Sequence, residues 1–421
     1  MFRLDKKIIW TALPLILAAY LSTLAGDVFA YTPQSLYDDV WKLVKVNYLD
    51  INQNGQDWKR WRHKYDGVIK SDEDAYVAID TMLSSLNDPY TKFLNPDEFA
   101  EEGRSISGSL YGVGIQIGIK EDKLLVISPI EDTPAFKAGI ETNDEILEIN
   151  GVSTKGISVK DAADKIRGKE GTTVTLLIKR GQVKKTYTLT RAKIDIKAVS
   201  IKEPKTVKLS KNVGYIRINS FLSNNTSLEV SEALKSLENK DGYILDIRSN
   251  PGGLLTNAII ISDMFLDKGV IVSTVDRDGY KDTQRAQKGV VTTKPIVVLI
   301  DEGSASASEI LSGALKDNDR AVLVGKKTFG KGLVQEINEL PGGTGLNITT
   351  QKYLTPNGTD INKVGISPDV NVANTDKDYK SNHDAQLEKA QSVLEELINQ
   401  NKENIADKAA KLPLPKLTVN R

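Results

Sequence analysis

The 421-residue chain contains no cysteine and only two histidines, His63 and His383. Without cysteine there are no disulfides and no thiolate metal sites. The two histidines lie far apart in the sequence and in polar surroundings, which argues against a histidine-built zinc site and against a Ser-His-Asp triad. An excess of charge is missing too: 56 basic residues face 56 acidic ones, and the pI is near 6.8. That balance gives no global attraction to nucleic acid.

What is present begins at the N-terminus. A basic start, "MFRLDKK", precedes the apolar run "IIWTALPLILAAYLSTLAG", and Val28 and Ala30 then stand where a signal peptidase reads small residues. Residues 1–30 therefore read as a signal peptide cleaved after Ala30 or, since the run comes close to spanning length, as a retained membrane anchor. Either way the remainder is expected outside the cytoplasm. With 40% hydrophobic residues, it is long enough for two or three domains with real cores.

The texture changes three times along that remainder. Residues 31–104 carry apolar side chains at helical spacing, as in "SLYDDVWKLVKVNYL", and Ser71 opens an acidic turn that reads as a helix cap. The Trp58, Trp61 and His63 cluster between the helical stretches reads as packing. Residues 105–193 alternate short strands with turns, including an Asn150-Gly151 hairpin signal. From 194 to 375, apolar strands such as "GYILDIRSN", "PIVVLID" and "RAVLVG" alternate with helices, the pattern of an α/β core whose strands are buried on both faces. Residues 376–421 read as a polar tail with one helical stretch.

Two junctions in the α/β region bear chemistry. "PIVVLIDEGSASASEILSGALKDN" ends a strand at a turn of small residues and starts a helix, which can present a serine hydroxyl beside free helix N–H groups. Ser306 and Glu309 also have the spacing of a capping box, so Ser306 has a purely structural explanation. "LDIRSNPGGLL" ends another strand at two glycines, which let backbone N–H groups approach a ligand closely. Together the two turns can aim N–H groups at one acyl oxygen.

A nucleophilic serine needs a base. From Gly325 to Lys331 the chain reads "GKKTFGK", which resembles a phosphate-binding P-loop, but Gly332 replaces the required Ser or Thr and a strand pattern follows where that loop needs a helix. Nucleotide binding is therefore not expected. Lys331 stands instead among Gly, Phe and Leu residues, and a desolvated lysine can act as a base because burial disfavours its charged form. With histidine so scarce, the residues point to a Ser–Lys hydrolase.

The stretch "SASASEILSGALKDNDRAVLVGKKTFGKGLVQ" resembles the active-site region of the carboxyl-terminal processing peptidases, or tail-specific proteases, and the likeness runs from about residue 35 to 375. The resemblance implies a crotonase- or Clp-protease-like strand–helix core. It implies Ser306 as nucleophile, in preference to Ser304 and Ser308, with Lys331 as general base and Gln335 as its partner. Gly252 and Ala307 would supply the oxyanion hole and Asp317 a structural contact; Lys326 and Lys327 depart from the acidic or proline residues usual there in the family and read as solvated charge. Residues 105–193, with "AFKAGIETNDEILEING", resemble a PDZ domain inserted before that core. The binding strand would open at Val113, Gly114, Ile115 and Gln116, and Arg167 would link the PDZ position to the active site.

The expected activity is a serine endopeptidase of the C-terminal processing type, acting on proteins or peptides with free C-termini. No cofactor, metal, nucleotide or nucleic acid is implied, and the expected compartment is a periplasm or thylakoid lumen. The N-terminal texture is closest to members that process a photosystem II reaction-centre precursor. An inactive PDZ scaffold is the alternative.

Overall fold

A computed structural model describes residues 31–410 except 108, 121–122, 131–132, 142, 196–197, 376 and 379–380, so the expected signal segment lies outside the described residues. The chain divides into two units, residues 1–96 with 336–348, and residues 97–335 with 349–421.

In the first unit, α1 (Pro33–Asn47) and α2 (Asp72–Ser84) each begin at a capping box, Thr32 with Ser35 and Ser71 with Asp74. Leu36, Tyr37, Val40, Trp41 and Val44 recur at helical spacing and pack on Ala75, Ala78, Ile79, Met82 and Leu83. Trp58 and Trp61 are buried in this core as expected, whereas His63 is exposed and paired with Asp66. The strand β1 (Lys92–Leu94) pairs antiparallel with residues 345–347, and Leu340, Leu346 and Ile348 complete the core. The helical region read over 31–104 is thus finished by a hairpin from the stretch assigned to the α/β core.

The second unit begins at Asp97, within α3 (Pro96–Ile106). Strand β2 (Ser109–Gly112) then pairs with the later β9 (Ala192–Asp195), and these two strands bracket the expected PDZ module. Within it lie β3 (Ile115–Lys120), β4 (Lys123–Pro129), α4 (Pro134–Lys137), β5 (Glu145–Ile149), β6 (Val152–Ser153), α5 (Val159–Ile166), β7 (Thr173–Arg180) and β8 (Val183–Thr190). The sheet order is β3-β4-β5-β7-β8, which leaves β3 at an edge, with α5 packed beside it. Asn150 and Gly151 turn the β5–β6 hairpin with φ of 52° and 77°, as their dipeptide signals.

The α/β core follows with β10 (Val199–Ser200), β11 (Val213–Ile218), α6 (Thr226–Ser236), β12 (Gly242–Asp246), α7 (Leu255–Asp263), β13 (Val270–Asp276) and β14 (Lys281–Arg285). It continues through β15 (Ile296–Ile300), α8 (Ala307–Asp317), β16 (Val322–Gly325), β17 (Leu333–Leu340), β18 (Thr344–Leu354), β19 (Val370–Asn371) and α9 (Ala385–Ala410). Strands β11, β12, β15, β16 and β19 run parallel, and every residue of β12 and β15 is buried. Helices α6, α7 and α8 cover one face, and α9 covers the other with Leu387, Ala390, Leu394 and Ile398. The stretch read as a polar tail is therefore half of the sheet's cover. Loops after β12, β15 and β16 leave the sheet together at its carboxyl edge, where open α/β sheets hold their sites.

Candidate active site

The loop after β15 carries Ser306 immediately before α8. Half of the box that their spacing suggests is made, the Ser306 amide donating to Glu309 Oε2 at 2.9 Å, while the Glu309 amide donates to the Ser306 carbonyl at 2.8 Å. Capping does not account for the backbone, however. Thr32, Ser71 and Ser158 cap other helices of this chain at φ of −130°, −129° and −73°, all with extended ψ. Ser306 instead has φ 55° and ψ −114°, a region that costs a non-glycine residue about 1–3 kcal/mol. The neighbouring Ala307 N–H, at the first helical position, has no acceptor among the described residues.

The flanking serines are spent on structure. Ser304 and Ser308 are fully buried, and their hydroxyls donate to the carbonyls of Ile247 at 2.8 Å and Asn250 at 3.0 Å. Ser306 is only partly buried.

Lys331 comes to the same place through Glu309, a carboxylate with no exposed surface. Its Oε2 accepts the Ser306 and Lys331 amides, each at 2.9 Å, and its Oε1 accepts Gly330 N–H at 2.7 Å and the Thr328 hydroxyl at 2.6 Å. Phe329 N–H donates to the Ser304 carbonyl at 3.0 Å, which ties the two loops again. From β18, the Tyr353 hydroxyl lies 2.6 Å from the Lys331 carbonyl and 3.2 Å from that of Ser306.

The glycine turn after β12 also arrives here. A Cβ on Gly252 would stand 2.6 Å from the Ala305 carbonyl, 2.8 Å from Ala307 N and 2.9 Å from Ser306 Cβ, so only glycine fits. Its N–H is donated to Asn250 Oδ1 at 2.9 Å, an acceptor that the sequence reading did not include. Asn250 is itself fully buried and donates to the Ile218 carbonyl at 2.8 Å.

Other expected residues fall as follows. Gln335, third in β17, donates its amide to Thr349 Oγ1 at 3.2 Å. Asp317 closes α8 and accepts the Asn357 amide at 3.0 Å. Lys326 is half-buried and Lys327 exposed. Val113 is buried in the PDZ core, and the Gly114 carbonyl takes the Ile130 amide at 2.9 Å and the Thr133 hydroxyl at 3.2 Å. Ile115 and Gln116 begin the edge strand, and the Gln116 side chain lies outside the described residues. Arg167, just past α5, pairs with Glu101 of α3 and with Asp164 at 3.8 Å. Beneath the glycine turn, buried Asp246 is held by Arg217, Arg248 and the Tyr215 hydroxyl, and Arg248 reaches on to Asp384 at 2.9 Å. Among the described residues no cluster of His, Asp or Glu could hold a metal ion.

Sequence reasoning missed Tyr353 and Asn250 and saw Glu309 only as a cap. Glu309 at the third helical position was the one local signal available.

Residues 212–372 match peptidase family S41, and residues 103–179 match the PDZ domain. The carboxyl-terminal-processing protease of a Picosynechococcus species is 44% identical over 343 residues, covering 80% of this chain and 82% of that protein. Its Synechocystis counterpart is 42% identical over 357 residues, 83% of each. Among solved structures, a photosystem II D1 C-terminal processing protease aligns with a TM-score of 0.57 at 35% identity, over 82% of this chain and 94% of that one.

Proposed function

The chain belongs to the S41 family of carboxyl-terminal-processing proteases and is a serine-type peptidase with a PDZ domain; on that premise we propose that Ser306 is its nucleophile and Lys331 its general base. What supports the pair most directly is the single buried carboxylate of Glu309, which accepts the backbone N–H of both residues. The raised-energy backbone of Ser306 and the engagement of its two serine neighbours point the same way.

In the reaction, Lys331 in its neutral form takes the proton of the Ser306 hydroxyl as the oxygen attacks a peptide carbonyl. The oxyanion is received by Ala307 N–H and by Gly252 N–H, which Asn250 shares or releases. Lys331 then gives the proton to the departing amine, which leaves an ester on Ser306. Water, deprotonated by the same lysine, attacks the ester and restores the serine. Gln335 sits two residues into the strand beyond Lys331 and acts as its orienting partner. The steps use no metal and no nucleotide.

The PDZ module supplies selection. A peptide C-terminus adds as a strand to the open edge of β3, beside α5, with the loop at Val113 and Gly114 taking the carboxylate. Arg167, through Glu101, relates the position of this module to α3. The substrates are C-terminal extensions of exported proteins, in a periplasm or thylakoid lumen. Nothing favours an inactive scaffold.

The test uses residues 31–421 and an unstructured reporter protein with varied C-termini. Ser306→Ala and Lys331→Ala each abolish cleavage while thermal unfolding stays within a few degrees of wild type. Retention of full turnover by either variant removes that residue from the mechanism.

A further inference from the structure

Lys331 is flanked by Gly330 and Gly332, and Gly330 has φ 91°. Both glycines are set by close backbone approach, since a Cβ would stand 2.9 Å from Gly365 N at Gly330 and 2.7 Å from Asn362 N at Gly332. Ser306 is different, since its carbonyl already accepts the Glu309 and Ile310 amides of α8 at 2.8 and 3.0 Å. The nucleophile is therefore seated on a helix, whereas the base rides on a loop held by bonds from other segments, among them Lys363 N–H to the Gly330 carbonyl at 2.8 Å.

We propose that Tyr353 is a positioning residue that holds the Lys331 peptide against the Ser306 turn through its phenolic hydroxyl, an inference that rests on the reading of Ser306 and Lys331 as the catalytic pair. The hydroxyl donates to the Lys331 carbonyl at 2.6 Å and lies 3.2 Å from that of Ser306. Glu309 accepts the amides of the same two residues, each at 2.9 Å. Each residue is thus held on its N–H side by one buried side chain and on its carbonyl side by another. Tyr353 is also tied by its backbone, its N–H donating to the Gly332 carbonyl at 3.0 Å, and it pairs with Thr274 of β13. Its ring is 1% exposed and belongs to the main core. Phenylalanine fills that space equally well, so packing alone does not call for the hydroxyl.

The test is Tyr353→Phe in residues 31–421, assayed beside Ser306→Ala and Lys331→Ala on the same unstructured reporter. The expected result is a fall in kcat of about ten- to a hundredfold, as sub-ångström misplacement of a base produces, with KM within about twofold of wild type. Phosphonylation of Ser306 by a fluorophosphonate slows in parallel. Amide hydrogen exchange quickens in residues 328–335 and is unchanged in β12 and β15. Wild-type kcat in Tyr353→Phe, with both control variants inactive, overturns the clamp and leaves the catalytic pair standing. Full activity in either control variant removes the pair itself, whatever Tyr353→Phe does. Faster exchange throughout β12 and β15 also overturns the proposal, because Tyr353 then maintains the fold and not the loop.

Discussion

At Gly252 three separate atoms exclude a side chain, and all three belong to the proposed catalytic turn, residues 305–307. Gly252→Ala forces a Cβ into that contact at φ 98°, at a cost of about 1–3 kcal/mol from the backbone alone. The same Cβ crowds Ala307 N, so turnover falls by at least about a hundredfold, as loss of an oxyanion donor does. Urea unfolding and kcat measured on one preparation separate the two effects. Glu309→Gln replaces an acceptor of four donors with a group that must turn an NH₂ towards some of them. Loss of buried partners costs about 1–3 kcal/mol, and kcat drops with it while KM holds. Ser306 and Lys331 could be proposed from the sequence because both stand in long motifs with a clear chemical need. Glu309 was half legible, because its spacing announces a cap but not the second loop that it also holds. Tyr353 carried no local mark, since its partners are 22 and 47 residues away.

Among the elements, α9 is fastened to the sheet by more than its apolar face. Burial pushes the Asp246 and Asp384 carboxyls up, but Arg248 overcomes it and holds both below the usual carboxylate range, with Arg217 and Tyr215 adding to the effect at Asp246. A carboxylate whose folded pKa is depressed stabilises the fold at pH above its unfolded value near 4, and that contribution is lost as pH falls through the folded pKa. Attachment of α9 is therefore expected to weaken below about pH 4, read as protease cutting between residues 372 and 385 before the sheet unfolds. Arg248→Ala leaves two carboxylates without their main cation and brings the same release at neutral pH, with a stability loss of about 3–5 kcal/mol. The helical period of α9 was visible in the sequence. Its docking was not, because a periodic stripe tells that a helix is covered on one side but not which sheet face needs the cover. The buried strands, by contrast, were readable from their unbroken apolar runs.

In the molecule taken whole, binding and cutting are assigned to different modules of one chain. If the edge of β3 selects the C-terminus, a reporter with an amidated C-terminus binds more weakly and is cut with a KM about tenfold higher. Its kcat stays within twofold, because the scissile bond meets the same serine. Equal KM for the acid and the amide removes the carboxylate from recognition. Changes in strand and helix texture suggested an order of modules, and the PDZ match at 103–179 precedes the peptidase match at 212–372. The membership of residues 336–348 was not legible, since Leu340, Leu346 and Ile348 join a core whose other members lie in the first hundred residues.

That long-range closure has a consequence in time. A chain delivered from its N-terminus exposes Leu36, Val40, Ile79 and Met82 long before Leu346 and Ile348 arrive to cover them. The closing hairpin is inserted between Gln335 and Thr349, on the path from Lys331 to Tyr353. Residues 336–348 thus fill the last gap in the first core, and the chain then runs on along β18 to Tyr353. The first core therefore stays open until the chain as far as Ile348 has emerged.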